Sequence, residues 1–200
     1  MLIWLNGPFG VGKTQVAHEL HRRLPGSFVC DPEHLGFGLH RMLPGRLRGD
    51  FQDLPLWRRG AFEMIDLVLR EARGPVIVPM TVVDPVYHRE TVGALREAGH
   101  PVHHFALLAS RETVLRRLRG RVVPLLRGGD SWAVAQVDRC LEALRQPEFG
   151  VQVPTDGRTV PDIADDVARR AGLRPVPASD GRLTQFLRRQ WVSVRHIRFD

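Results

Sequence analysis

Lysine is almost absent from this chain. Of the 29 lysines and arginines among its 200 residues, Lys13 is the one lysine. A sequence that carries its positive charge on arginine everywhere else has a specific need at position 13. Lysine offers a compact ammonium on a flexible stem, whereas arginine offers a bulkier planar fork. Cysteine is scarce too. Cys30 and Cys140 are the only two, far apart and at no metal-ligand spacing. That excludes a disulfide framework and a zinc–thiolate site, and it fits reduced thiols in the core of a cytoplasmic protein. No apolar run approaches the roughly 20 residues of a membrane-spanning helix. Met1–Leu5 is too short for a signal-peptide core and has no basic segment before it. Long blocks of like charge, internal repeats and low-complexity tracts are missing as well, which argues against a dedicated nucleic-acid tail.

What is present is an ordinary globular composition, 43% hydrophobic and 26% charged, enough for one domain with a sizeable core. The formal net charge of +7 favours anionic partners: nucleotides, nucleic acid or an acidic membrane surface. Nucleic acid fits least, because the chain has no interleaved aromatic and basic platform.

Lys13 stands in Gly7-Pro8-Phe9-Gly10-Val11-Gly12-Lys13-Thr14, which has the G-x-x-x-x-G-K-T spacing of a phosphate-binding loop. The chemistry explains the residue types. Glycines let backbone N–H groups turn inward, the ammonium reaches the β- and γ-phosphates, and the Thr14 hydroxyl is placed for Mg²⁺. The context agrees. Met1–Leu5 reads as a buried parallel strand, and from Thr14 onward Val16, Ala17, Leu20 and Leu24 share one helical face. A phosphate at the start of that helix would meet its unpaired amides and its positive dipole end. ATP and Mg²⁺ are the expected cofactors.

Strand-like segments alternate with helical ones along the chain. Strands are expected at Leu2–Leu5, Ser27–Cys30, Val76–Met80, Val102–Leu107 and Val151–Val153. Helices are expected at about Lys13–Leu24, Pro55–Arg73, Pro85–Ala98, Arg111–Arg119, Ser131–Arg145 and Val160–Ala171. This alternation predicts an α/β fold, a parallel five-stranded sheet with helices on both faces. Ligands of such sheets sit beyond the carboxyl ends of the strands, so residues just after each strand carry most weight.

Asp31 follows the second strand. A carboxylate there can take a proton from a substrate hydroxyl or orient Mg²⁺ through water; ahead of Pro32 it also fits a helix cap. The Pro44–Arg59 segment is polar and Gly/Pro-rich, and reads as a cover over an acceptor site. Within it Trp57 and Arg58 are placed either to stack on and pair with a ligand or, for Trp57, to pack in the core. The third strand ends without the aspartate that many phosphate-loop proteins carry there for Mg²⁺; Asp84 comes slightly later, and Thr81 lies in the loop facing the acceptor. Arg117 and Arg121, one helical turn apart, suit a lid that neutralises a transferred phosphoryl group, or simply a solvated basic face. Pro154–Gly157 follows the fifth strand, where a base would lie. His103 and His104 sit in the fourth strand and are expected to be structural.

Together these segments resemble the tunicamycin-resistance branch of the P-loop kinase superfamily. The resemblance is carried by Ile3–Gly7 leading into the loop, Asp31-Pro32-Glu33, Asp50-Phe51-Gln52, Pro55-Leu56-Trp57-Arg58, Val78-Pro79-Met80-Thr81, Val102-His103-His104-Phe105 and Ser131-Trp132. It implies a P-loop NTPase fold like that of nucleoside and shikimate kinases, ATP binding, and action on or capture of the nucleoside antibiotic tunicamycin.

Residues 1–173 are expected to form the kinase-like domain and 174–200 a linker and tail. In the tail Leu183, Phe186, Leu187 and Trp191 recur at helical spacing among Arg182, Arg188, Arg189, Arg195 and Arg198. That pattern suits either weak contact with an anionic membrane surface or docking on the domain.

Overall fold

The computed structural model describes residues 1–120 and 133–177. Five strands, β1 (Leu2–Asn6), β2 (Phe28–Val29), β3 (Val76–Pro79), β4 (Val102–Leu108) and β5 (Val151–Pro154), form one parallel sheet in the order β2-β3-β1-β4-β5. β1 lies at its centre, and all five of its residues are buried. A central parallel strand is covered on both faces, so its residues must be apolar almost without a break.

The pleat of β1 divides the core. Ile3 and Leu5 face one layer, with Val16, Ala17 and Leu20 of α1 (Lys13–Arg23) and Ile163, Ala164 and Val167 of the last helix. Leu2 and Trp4 face the other, with Trp57, Ala61 and Ile65 of a long helix and Leu95 of the next. The first layer also holds α5 (Arg111–Arg119), α6 (Val137–Ala143) and α7 (Val160–Arg170). The second holds α2 (Glu33–Met42), α3 (Pro55–Glu71) and α4, which runs through Pro85–His88, a π-turn at Arg89–Gly93, and Ala94–Glu97. The α/β sheet with helices on both faces is as expected.

Three elements differ from expectation. α2 was anticipated only at its start, by the Asp31-Pro32 cap, because Gly36 and Gly38 weaken the helical signal of the rest. Gly36 is there for contact: a Cβ on it would fall 2.5 Å from the Phe51 ring. The helix thus trades propensity for the approach of that ring. The helix at Pro85 was expected unbroken, but its middle turn widens to a π-turn, a feature frequent at functional sites. β2 is also shorter than expected.

Leu5 of β1 is level with Pro79 of β3 and Phe105 of β4. The loops after these strands therefore gather on one edge. Cys30 and Cys140 are buried. Burial, with the Asp31 charge beside it, pushes the Cys30 thiol up to about 11, and burial likewise raises Cys140; neither is a reactive thiolate at neutral pH. The linker's Val176 is tied to α1: its N–H donates to Arg23 O at 2.8 Å, and Arg23 Nε donates to Val176 O at 2.7 Å.

Candidate nucleotide-binding site

The segment between β1 and α1 folds as a tight loop. Gly10 adopts φ +83°, and a Cβ on it would strike Leu118 Cγ at 2.7 Å. Gly12 adopts φ +108° with nothing within 4 Å of a Cβ there. Its backbone alone demands glycine, and it opens onto space rather than core. Gly12 is also the N-cap of α1, with no side-chain cap bond and no acidic residue in the first turn. Helix N-termini of this kind present unpaired amides and positive potential to an anion. Thr14 follows, half-buried, in the first turn. Glycine cradle, uncapped helix start, ammonium and hydroxyl together fit a nucleotide phosphate with Mg²⁺.

Lys13 is buried. Its Nζ donates to Gly7 O at 3.0 Å and Pro8 O at 3.3 Å and lies 5.3 Å from the Phe9 ring centroid. Pro8 and Phe9 thus shape the loop around the ammonium, while Val11 packs against Gly7. Asp31 lies where β2 meets α2. Its Oδ1 accepts from Glu33 N at 3.0 Å, so it secures the start of that helix. Burial pushes its carboxyl up to about 7, the Glu33 charge adds to the rise, and the Glu33 amide and the Lys13 ammonium pull it back. Asp31 and Lys13 therefore sense each other across the sheet edge.

The end of β3 serves the loop. Thr81, expected toward the acceptor, is 2% exposed and its hydroxyl donates to Gly7 O at 2.7 Å. Asp84 caps α4, accepting from Val86 N at 2.8 Å and Tyr87 N at 3.1 Å.

Trp57 is fully enclosed, its indole N–H donating to Pro32 O at 3.0 Å and its ring tilted against Phe51 at 5.1 Å. No ring face remains for a ligand to stack on in this geometry. Arg58 is likewise buried. It pairs with Glu90, donates to Gln52 O, and lies 4.3 Å from the Tyr87 ring centroid, while Tyr87 Oη donates to Asp53 at 2.7 Å. These contacts fasten the short 3-10 turn Phe51–Asp53 to α4.

Arg117 bridges two loops. Its Nη1 donates to Val11 O and Thr155 Oγ1, and its Nη2 to Thr155 O, each at 3.0 Å. Asp156 closes the second loop onto Ser110, accepting from its backbone N at 2.7 Å and its hydroxyl at 3.0 Å. Arg121 lies outside the described residues. Among the described residues no group of three or more histidines, cysteines or carboxylates is arranged to hold a metal ion. Sequence reasoning passed over Asn6. The signal was a lone amide ending an otherwise apolar strand, immediately before the first loop glycine.

The sheet order, the cradle and the ammonium define a P-loop nucleotide-binding domain of the kinase-like class. The AAA domain family matches residues 2–147. The chain is similar to the Deinococcus radiodurans tunicamycin resistance protein, with 38% identity over 88% of this chain and 99% of that one and a TM-score of 0.74. It shares the fold of a gluconokinase from Sinorhizobium meliloti (19% identity, 85% of this chain and 93% of that one, TM-score 0.56). A shikimate kinase from Bacteroides thetaiotaomicron has it too (18% identity, 86% and 99%, TM-score 0.59). No curated protein matches the chain. The chain therefore belongs to the P-loop kinase-like family of tunicamycin-resistance proteins.

Proposed function

We propose that this chain is an ATP-binding tunicamycin-resistance protein that transfers a phosphoryl group to a hydroxyl of the nucleoside antibiotic. One observation carries the reading. A buried carboxyl whose pKa lies near 7, Asp31, shares the sheet edge with the phosphate loop and its ammonium. A base is most useful when its pKa is close to the working pH.

When bound, ATP·Mg²⁺ supplies the phosphoryl group and the charge neutralisation. The chain's own residues do the rest. Amides of the Gly7–Gly12 loop beyond Pro8 would hold phosphate oxygens, Lys13 would turn from the Gly7 and Pro8 carbonyls toward the phosphates, and Thr14 would offer its hydroxyl to the metal. Asp31 accepts the proton of the attacking hydroxyl, or orients the metal through water. Arg117 fixes the phosphate loop against the Thr155 loop, where the base would lie. The loop after Met80 and the 44–59 segment border the acceptor, with Trp57 and Arg58 holding that segment in place.

A second reading is capture of tunicamycin without chemistry. It is favoured by the end of β3, where Thr81 binds the loop and Asp84 caps a helix, so that no strand-end carboxylate is offered to Mg²⁺. Mass spectrometry of tunicamycin after incubation with protein, Mg²⁺ and ATP decides. A mass increase of one phosphoryl group supports transfer. Unmodified drug retained by the protein only with ATP supports capture.

A cytoplasmic location is part of the proposal, in keeping with the two free, buried cysteines. Among the described residues no helix is long and apolar enough to cross a membrane. The tail, outside the described residues from 178 onward, is proposed to touch anionic membranes. Cosedimentation of the full-length chain with anionic vesicles at low salt, lost on removing 181–200, is the expected result; both forms staying in the supernatant refutes it.

A further inference from the structure

Behind the phosphate loop runs a chain of buried polar side chains that the expected chemistry does not use. Asn6 ends β1. Its Oδ1 accepts from Gly7 N at 2.9 Å and from Val82 N at 3.0 Å. Its Nδ2 donates to Val82 O at 2.7 Å and lies 3.4 Å from His104 Nε2. Two backbone N–H groups on one atom of the amide fix that atom as oxygen, so the other is the NH₂ group.

The remaining polarity follows. Nδ2 is a donor, so His104 Nε2 accepts, and the ring must carry its proton on Nδ1. That Nδ1 lies 3.3 Å from His88 Nε2, which accepts in turn, leaving the His88 proton on its own Nδ1. The two rings stack at 5.1 Å and 18°, with Trp4 edge-on to His104 and Phe149 edge-on to His88. The environment keeps both rings neutral. Burial, helped by Arg96, lowers His88 to about 4, while burial, the neighbouring His88 and Arg96 hold His104 well below the usual range. A proton on either ring would set donor against donor and break the line.

The other side of Gly7 is held as well. Its carbonyl accepts from the Thr81 hydroxyl at 2.7 Å and from Lys13 Nζ at 3.0 Å. Thr81 precedes Val82, whose two backbone groups Asn6 grips, and Met80 O accepts from Trp4 Nε1 at 3.2 Å. Gly7 has no room to shift toward the sheet: a Cβ on it would lie 2.9 Å from Leu107 O. The first residue of the phosphate loop is thus fixed at its N–H by Asn6 and at its C=O by Thr81.

We propose that Asn6, Thr81 and His104 are positioning residues that set the phosphate loop for its ligand, with His88 carrying the same line into α4. The inference rests on the reading that this loop binds a nucleotide. Its signature is a loss of affinity confined to the phosphate that the loop cradles, while contacts to the rest of the nucleotide stay as they were. A preset loop binds without first being ordered.

The test is competitive titration of the full-length protein with ADP and with AMP, with melting curves alongside. Asn6→Ala is expected to weaken ADP about tenfold, roughly 1.4 kcal/mol, with AMP affected less than about twofold. His104→Phe keeps the ring and removes both nitrogens; it should lower the ADP-to-AMP affinity ratio severalfold. His104→Gln restores an acceptor near the Nε2 position and should return the ratio to within about twofold of the parent. Thr81→Val keeps the shape, removes one hydroxyl, and reads the same effect should Asn6→Ala fail to fold. Variants that melt lower yet keep the parental ratio overturn the proposal, since the line is then core packing only. A parent that binds neither nucleotide overturns the nucleotide reading itself.

Discussion

The lone lysine and one buried carboxyl carry the sharpest residue-scale predictions. Lys13→Ala should leave the fold intact and weaken ATP at least ~30-fold, the range for truncating one partner of a buried charged contact. Lys13→Arg should fail too, because the ammonium sits among Gly7 O, Pro8 O and the Phe9 ring, a space without room for a planar fork. Isothermal titration with ATP checks both; parental affinity in the arginine variant counts against the role. Asp31 bears on stability as well as turnover. Its carboxyl is raised to about 7 by burial, against about 3.9 in an unfolded chain. The unfolded state therefore ionises first as pH rises, and stability falls between pH ~4 and ~7 by up to ~4 kcal/mol. Asp31→Asn keeps an acceptor for the Glu33 amide and removes the charge. In the ligand-free chain at pH 8 its Tm should rise, while turnover drops ~10²-fold or more if Asp31 is the base. A variant no more stable than the parent would show that the buried charge carries no such cost.

At the scale of elements, what could be read ahead was whatever repeats at a regular period or sits at a rigid spacing. β1, the glycine loop and α1 were legible together because each limits the others: an apolar strand, a G-x-x-x-x-G-K-T turn and a helical stripe in that order. α2 was legible only at its Asp31-Pro32 start, because Gly36 answers to Phe51, a residue fifteen positions on, and no local rule reports that contact. The π-turn in α4 was hidden for a similar reason. Side-chain spacing from Pro85 to Ala98 fits a helix, and a widened turn leaves little trace in such a pattern. Trp57, Arg58 and Thr81 were read as candidates for the acceptor site, but a sequence does not say whether a polar or aromatic side chain faces a ligand or another backbone group. Arg117 shows how much that distinction matters. Its three bonds to Val11 O, Thr155 Oγ1 and Thr155 O make α5 a brace between the phosphate loop and the loop after β5. Arg117→Ala should weaken ATP about tenfold or more, and Arg117→Lys should recover little, since one ammonium cannot span both loops. Equal nucleotide binding in Arg117→Ala would leave the brace without a function.

Among the described residues, a buried histidine pair and a buried aspartate in opposite helical layers respond to acid in different windows. His88 and His104 stay neutral between β4 and α4. Unfolded histidines protonate near 6.5, so below that pH the unfolded chain takes up protons that the folded one refuses. The histidine contribution to stability should fall from pH ~6.5 to ~4, by ~3 kcal/mol for His88 alone, whose folded value is about 4, opposing the gain from Asp31 over the same window. Asp166 in α7 behaves oppositely. Burial raises its carboxyl, but bonds from Arg170, Arg158 and Arg169 outweigh this and hold it at about 2. Its contribution is complete above the unfolded value near 3.9 and is lost as pH falls toward 2, by ~2 kcal/mol. Arg23 joins this side of the molecule to the linker through Asp165 and Val176, so loosening α7 should also release the segment at 174–177. Tm measured from pH 7.5 to 2.5 separates the two groups. In the Asp31→Asn background, His88→Gln should flatten the curve between pH 6.5 and 4 and leave the lower limb unchanged; Asp166→Asn should lower Tm above pH 4 and merge with the parent as pH approaches 2. If His88→Gln keeps the parental slope between pH 6.5 and 4, protonation of the buried ring is not what limits acid stability in that window.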